Sequence, residues 1–155
     1  SSPMTTPMTT PMTTPETRTV LIVEDQLLLA MTVRDALEDH GYRVLELAIR
    51  HQEALDTVDE TRPDLALVNI ELADDDDGAV LAGELTGMGI PVVFISGQTS
   101  RIDSSREAAI ASMPKPYSPE DMVLAVDYVF RHLAGDESRP GPRGLQVFSP
   151  PAAAA

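Results

Sequence analysis

The chain has 155 residues, an apolar fraction of 43%, no cysteine and a formal charge of −14 at pH 7. That length and apolar content suit one globular domain with tails, and the lack of cysteine excludes both a disulfide framework and a thiolate metal site. Such acidity leaves no basic face for nucleic-acid phosphates. No apolar run approaches the roughly 18 residues of a membrane span, so a cytoplasmic protein that engages neither nucleic acid nor membrane is expected.

Residues 3–14 are three copies of Pro-Met-Thr-Thr, whose prolines interrupt helix and sheet and whose small polar side chains bury too little to offset ordering entropy. Residues 1–17 are therefore read as a flexible tail and not as a secretory signal, which needs a basic stretch followed by an apolar block. Val20-Leu21-Ile22-Val23 is a short continuous apolar run, the pattern of a strand covered on both faces. Residues 26–40 carry Leu29, Val33, Ala36 and Leu37 at helical spacing and stop at Gly41, a C-terminal cap. The strand–helix unit then recurs. Residues 43–47, 65–68 and 91–95 read as strands, and residues 51–60 and 78–85 as helices. Residues 104–111 read as a weak fourth helix, residues 111–113 as a minimal fifth strand before Pro114, and residues 118–133 as a strong last helix. Repeats of this size predict an α/β fold, a parallel sheet with helices on both faces joined by right-handed crossovers. The proline- and alanine-rich residues 134–155 read as a second flexible tail, with Leu145, Val147 and Phe148 its one apolar cluster.

Open sheets of this kind bind ligands outside the carboxyl ends of their strands. Those positions hold Glu24 and Asp25 after the first strand, Asn69 and Glu71 after the third, Ser96 and Gly97 after the fourth, and Lys115 after the fifth. Two carboxylates and a backbone carbonyl are hard oxygen ligands suited to Mg²⁺, while a hydroxyl and an ammonium can hold phosphoryl oxygens. A small residue at Gly97 leaves room for such a group. Taken singly these residues have plainer readings: a strand-end serine usually satisfies backbone groups, and a lone lysine usually sits on the surface. The run Asp74 to Asp77 reads as a solvated loop, Tyr117 as a packing residue, and His40, His51 and His132 as neither ligands nor catalysts, lacking partners at ligand spacing.

Val-Leu-Ile-Val-Glu-Asp, Pro-Asp-Leu-Ala-Leu-Val-Asn-Ile, Pro-Val-Val-Phe-Ile-Ser-Gly and Met-Pro-Lys-Pro-Tyr, in that order, resemble the receiver family of bacterial response regulators over residues 18–133. No single motif is specific, but four in sequence at strand ends are. The resemblance implies a flavodoxin-like, doubly wound, five-stranded sheet of order 2-1-3-4-5. It also implies a pocket in which an aspartate accepts a phosphoryl group from a sensor histidine kinase or phosphotransfer protein. Asn69 stands at that acceptor position. Glu24, Asp25 and the Glu71 carbonyl match the metal ligands, Ser96 the switch hydroxyl, and Lys115 the phosphoryl-contacting lysine. The Lys115–Pro116 bond resembles one that is usually cis in the family.

Asn69 removes the nucleophile, because a carboxamide lacks an anionic oxygen to attack phosphorus. It also relieves repulsion among clustered carboxylates, so weakened Mg²⁺ binding and a more stable metal-free fold are expected. A natural variant and an engineered replacement both fit the sequence. Ser112 stands three residues before Lys115, where many relatives place an aromatic switch residue. The expected function is a non-enzymatic receiver in two-component signalling that acts through contacts with a downstream partner, and a homodimer is compatible with that. Two alternatives compete: a degenerate scaffold, and a small phosphatase with an aspartyl nucleophile. For the latter only Asp25 remains, with Leu27 where a second acid would be needed.

Overall fold

In the computed structural model, residues 17–72, 77–97 and 106–148 are described. Five parallel strands form the sheet: β1 (Thr19–Val23), β2 (Arg43–Val44), β3 (Leu65–Asn69), β4 (Val92–Ser96) and β5 (Ala111–Pro114). They alternate with helices α1 (Leu27–Asp39), α2 (His51–Glu60), α3 (Gly78–Gly87) and α4 (Pro119–Leu133). The strand order is 2-1-3-4-5, with a sixth strand, β6 (Gln146–Val147), antiparallel on the outer edge of β5. This is the flavodoxin-like arrangement expected from the sequence, extended by one strand.

The continuous apolar runs are explained by burial on both faces. Successive side chains on a strand point to opposite sides, so Val20, Ile22, Leu65 and Leu67 pack with Val33 and Leu37 of α1 and Met122 and Val126 of α4. Their neighbours Leu21, Val23, Ala66 and Val68 pack with Ala54 of α2 and Leu81 and Leu85 of α3. Helices therefore cover both faces, α1 and α4 on one and α2 and α3 on the other, and the carboxyl ends of the five parallel strands open toward the same rim. Local signals set the helix boundaries. Gly41 adopts φ 98° after α1, Asp77 accepts from the Ala79 N–H to cap α3, and Ser118 accepts from the Asp121 N–H to cap α4 behind Pro119. Each cap satisfies a donor that the first turn leaves without an intrahelical partner.

Two expectations are corrected. Residues 106–111 do not continue a fourth α-helix: Arg106–Ala108 is a single 3₁₀ turn, and Ala111 already belongs to β5. The pairing of β5 with β4 claims Ala111 for the sheet, and the Ile110 N–H already donates to the Val92 carbonyl at 2.9 Å. Nor does order end near Leu133. Residues 134–148 fold back, β6 pairs with β5, and Leu145 and Val147 pack on the core. The long-range pairing outweighs the local proline content. The second strand is also shorter than residues 43–47, continuing only as an isolated bridge between Val23 and Ala48. The Pro-Met-Thr-Thr repeat, Asp74 to Asp76 and residues 104–105 of the expected fourth helix lie outside the described residues. Among the described residues, no helix is long and apolar enough to cross a membrane.

Candidate functional site

The rim at the carboxyl ends gathers the residues singled out above. Glu24 leaves β1 with its N–H bonded to the Ala48 carbonyl at 2.9 Å, which turns its side chain into the sheet rim, where it is 1% exposed. Asn69, the last residue of β3, is 3% exposed beside it. Its Nδ2 donates to Glu24 Oε2 at 3.1 Å and to Asp25 Oδ1 at 3.0 Å, while its Oδ1 accepts from the Glu71 N–H at 3.2 Å. Chemistry fixes this orientation of the amide. The peptide N–H needs an acceptor and the two carboxylates need donors, so the reverse orientation would lose all three bonds.

Lys115 approaches from β5 with Nζ 3.7 Å from Glu24 Oε1. Its backbone N–H donates to the Ser96 carbonyl at 3.1 Å, tying the end of β4 to the turn carrying the lysine. Ser96 is buried, Gly97 is exposed, and a Cβ added at Gly97 would meet nothing within 4 Å among the described residues. The Lys115–Pro116 bond is cis. Glu71 turns an exposed side chain outward and brings only its backbone to the site. Glu24, Asp25, Asn69, the Glu71 backbone and Lys115 thus form one connected cluster, with Ser96 and Gly97 at its edge.

Burial pushes the Glu24 carboxyl above the ordinary carboxylate range, and the adjoining Asp25 adds to this; the Gln26 N–H at 3.1 Å and the Lys115 ammonium oppose it. Glu24 Oε1 is buried with no hydrogen-bond partner among the described residues. A buried carboxylate oxygen that accepts no hydrogen bond, next to a second carboxylate, is a donor set that fits a hard divalent cation in kind. The Asn69 amide hydrogens face those same carboxylates and compete with such a cation. No group of three acidic, histidine or cysteine side chains placed to hold a metal occurs among the described residues.

Gly78 belongs to the site and was not singled out from the sequence. Its N–H donates to the Ile70 carbonyl at 2.8 Å, and a Cβ there would lie 2.0 Å from the Asn69 carbonyl oxygen. The start of α3 can approach the end of β3 this closely only at a residue without a side chain. The Asp-Gly step before an apolar helix was the available signal. Tyr117 packs against the core as expected, its hydroxyl pKa pushed up by burial and the Glu24 charge. The three histidines each meet a carboxylate away from this rim: His40 with Asp127, His51 with Glu84 and His132 with Glu137.

A parallel doubly wound sheet with an acidic pair, a strand-end amide and a lysine on a cis-proline turn defines a receiver-type domain. Residues 20–127 match the response regulator receiver domain, and the chain belongs to that family. It is 31% identical over 114 residues to the transcriptional regulatory protein PdtaR of Mycobacterium tuberculosis H37Rv, covering 71% of this chain and 55% of the relative. It is 31% identical over 110 residues to the phyllosphere-induced regulator PhyR of Methylorubrum extorquens, covering 69% of this chain and 41% of that protein. The chain thus spans about half the length of the curated relatives it matches. Among solved structures, a CheY-like response regulator receiver domain protein from Methanospirillum hungatei superposes with TM-score 0.66 at 25% identity, covering 74% of this chain and 94% of that one.

Proposed function

We propose that this receiver domain carries its acceptor position at Asn69 and signals by protein–protein contact from one fixed pocket state, not by accepting a phosphoryl group. The observation that carries this reading is the Asn69 amide bridging Glu24 and Asp25. An acceptor aspartate would offer an anionic oxygen for in-line attack. Here Oδ1 is neutral and engaged by the Glu71 N–H, and Nδ2 is turned toward the acids. The amide supplies the two carboxylates with donors that a cation would otherwise have to replace by charge.

A bound Mg²⁺ supplies neutralisation of phosphoryl oxygens in receivers that use it. Glu24, Asp25 and the Glu71 carbonyl would hold it in this chain, at reduced affinity because the third anionic ligand is missing. Lys115 and the Ser96 hydroxyl, with the open space before Gly97, are the groups that would meet an incoming phosphate. Upstream, the partner of a phosphorylatable form is a sensor histidine kinase or phosphotransfer protein. Downstream, the output is a cytoplasmic contact with another protein, and no catalytic turnover is assigned to the chain.

The test is incubation of the chain and of Asn69→Asp with acetyl phosphate and Mg²⁺, read by intact mass for a phosphoryl adduct labile to mild base. The expected outcome is an adduct on the aspartate form alone. If neither form gains one, the pocket is degenerate and the domain is a scaffold; an adduct on the asparagine chain would overturn the reading.

A further inference from the structure

The outer edge of β5 is the second place where the structure departs from a bare five-stranded sheet. An edge strand presents unpaired backbone donors and acceptors to any extended chain, and here the chain's own residues 145–148 take them. Ala111 pairs with Val147 and Ser112 with Gln146, antiparallel, and the Phe148 N–H donates to the Ile110 carbonyl at 2.8 Å. Leu145 and Val147 pack on the core on one side of the sheet, and Phe148 packs on the other beneath Arg106, whose guanidinium carbon lies 4.4 Å from its ring centroid.

This segment is held lightly compared with the strands inside the sheet. It contributes a two-residue ladder, whereas β1 and β3 share four registered pairs. Leu145, Val147 and Phe148 are only partly buried. Residues 134–145 connect it to α4 without a helix or strand of their own. The connection ends in a tight turn at Gly144, with φ 93° and a would-be Cβ 3.1 Å from Pro114. Pro114 adjoins Lys115, so the turn at Gly144 lies beside the segment that carries the pocket lysine.

We propose that the β5 edge is a strand-docking site for an extended segment of a partner protein, and that residues 145–148 are its resident occupant, displaced when the partner binds. The resident states the chemistry of the partner: an extended chain with leucine, valine and phenylalanine spaced as in Leu-Gln-Val-Phe, its backbone adding an antiparallel strand and its aromatic ring seated under Arg106. Strand addition of this kind derives affinity from main-chain bonds and selectivity from the side chains flanking them. The proposal is independent of the identity of residue 69.

The probe is a synthetic peptide of residues 141–148, titrated into the full chain and into Phe148→Ala and Val147→Ser variants, with a scrambled peptide as control. Native-state hydrogen exchange is followed in β5 and β6. Because a tethered resident competes at an effective concentration of order mM, the full chain should bind the peptide weakly. The variants should bind it at least ten-fold more tightly, with the β5 amides re-protected. The β6 amides of the full chain should exchange by a local opening well below global unfolding. Equal binding of ordered and scrambled peptides, no gain in the folded variants, or β6 exchange only through global unfolding would each overturn the proposal. If a variant does not fold, the exchange result on the full chain decides alone. A peptide-independent dimer formed by exchange of β6 between copies would replace the partner segment with a second copy of this chain and overturn the proposal as stated.

Discussion

The rim between β1 and β3 and the outer edge of β5 are built by opposite strategies. At the rim, consecutive residues at strand ends meet across adjacent strands, and each polar group there is placed by a backbone bond: Glu24 by Ala48, Asn69 by Glu71, Lys115 by Ser96. At the β5 edge, the contacts run through a two-residue ladder and partly buried apolar side chains. A rigid rim beside a lightly held edge separates the two tasks of the domain: the first fixes charge geometry, the second offers backbone to a partner. Local opening in proteins is concentrated where buried apolar contacts are few, and the edge meets that description while the rim does not.

The comparison is broken most severely at Gly78. A Cβ at 2.0 Å from the Asn69 carbonyl oxygen cannot be relieved by a rotamer change, because the obstructing atom is backbone. Gly78→Ala should therefore cost about 3 kcal/mol of stability, the upper end for overpacking, read by chemical denaturation. A loss below about 1 kcal/mol would mean that α3 and the end of β3 meet loosely and that the rim is not the rigid element. Next in size is Asn69→Asp. It removes two donors from the acids and adds a third carboxylate, so the metal-free fold should lose about 2 kcal/mol. Millimolar Mg²⁺ should restore the aspartate form and leave the asparagine chain nearly unmoved, read by thermal unfolding with and without the ion. An aspartate form as stable as its parent without metal would end the electrostatic account of the amide bridge.

The same division decides what the sequence disclosed. The strands, the helices α1 to α3 and the last helix were legible because their signals are local: apolar runs, 3.6-residue spacing, a glycine after α1, a serine before α4. The rim residues were legible because parallel topology sends every strand's carboxyl end to one side, so Glu24, Asn69, Ser96 and Lys115 could be placed together before any contact was known. The amide's own bonding was not, since it depends on the angles at which three chain segments meet. Gly78 was overlooked because an Asp-Gly step at a helix start has an ordinary reading as a cap. The β5 edge was misread twice, with a helix expected over 104–111 and a free tail after 133. The fifth strand was legible at residues 111–113, but residues 145–148 declare themselves a strand only through their pairing with it. The carboxylates that meet His40 and His51 lie 87 and 33 residues away, beyond any spacing rule.

The smallest effect sharpens the comparison by pH. Glu24 is a carboxyl whose folded-state pKa is raised, chiefly by burial, so between the ordinary carboxylate range and that raised value the folded chain binds more protons than the unfolded one. By linkage, stability then falls as pH rises through this window, and the loss is complete above the folded-state pKa. Glu24→Gln cannot ionise, so the difference in stability between parent and variant should shift in favour of the variant on going from acid to neutral pH. The measurement is denaturant unfolding of both chains at a series of pH values, at one ionic strength and without divalent cation. A difference that stays flat would mean that Lys115 and the Asn69 amide already neutralise the desolvation of Glu24. In that case the rim would hold its charge without cost, and an incoming cation would gain nothing by replacing the amide.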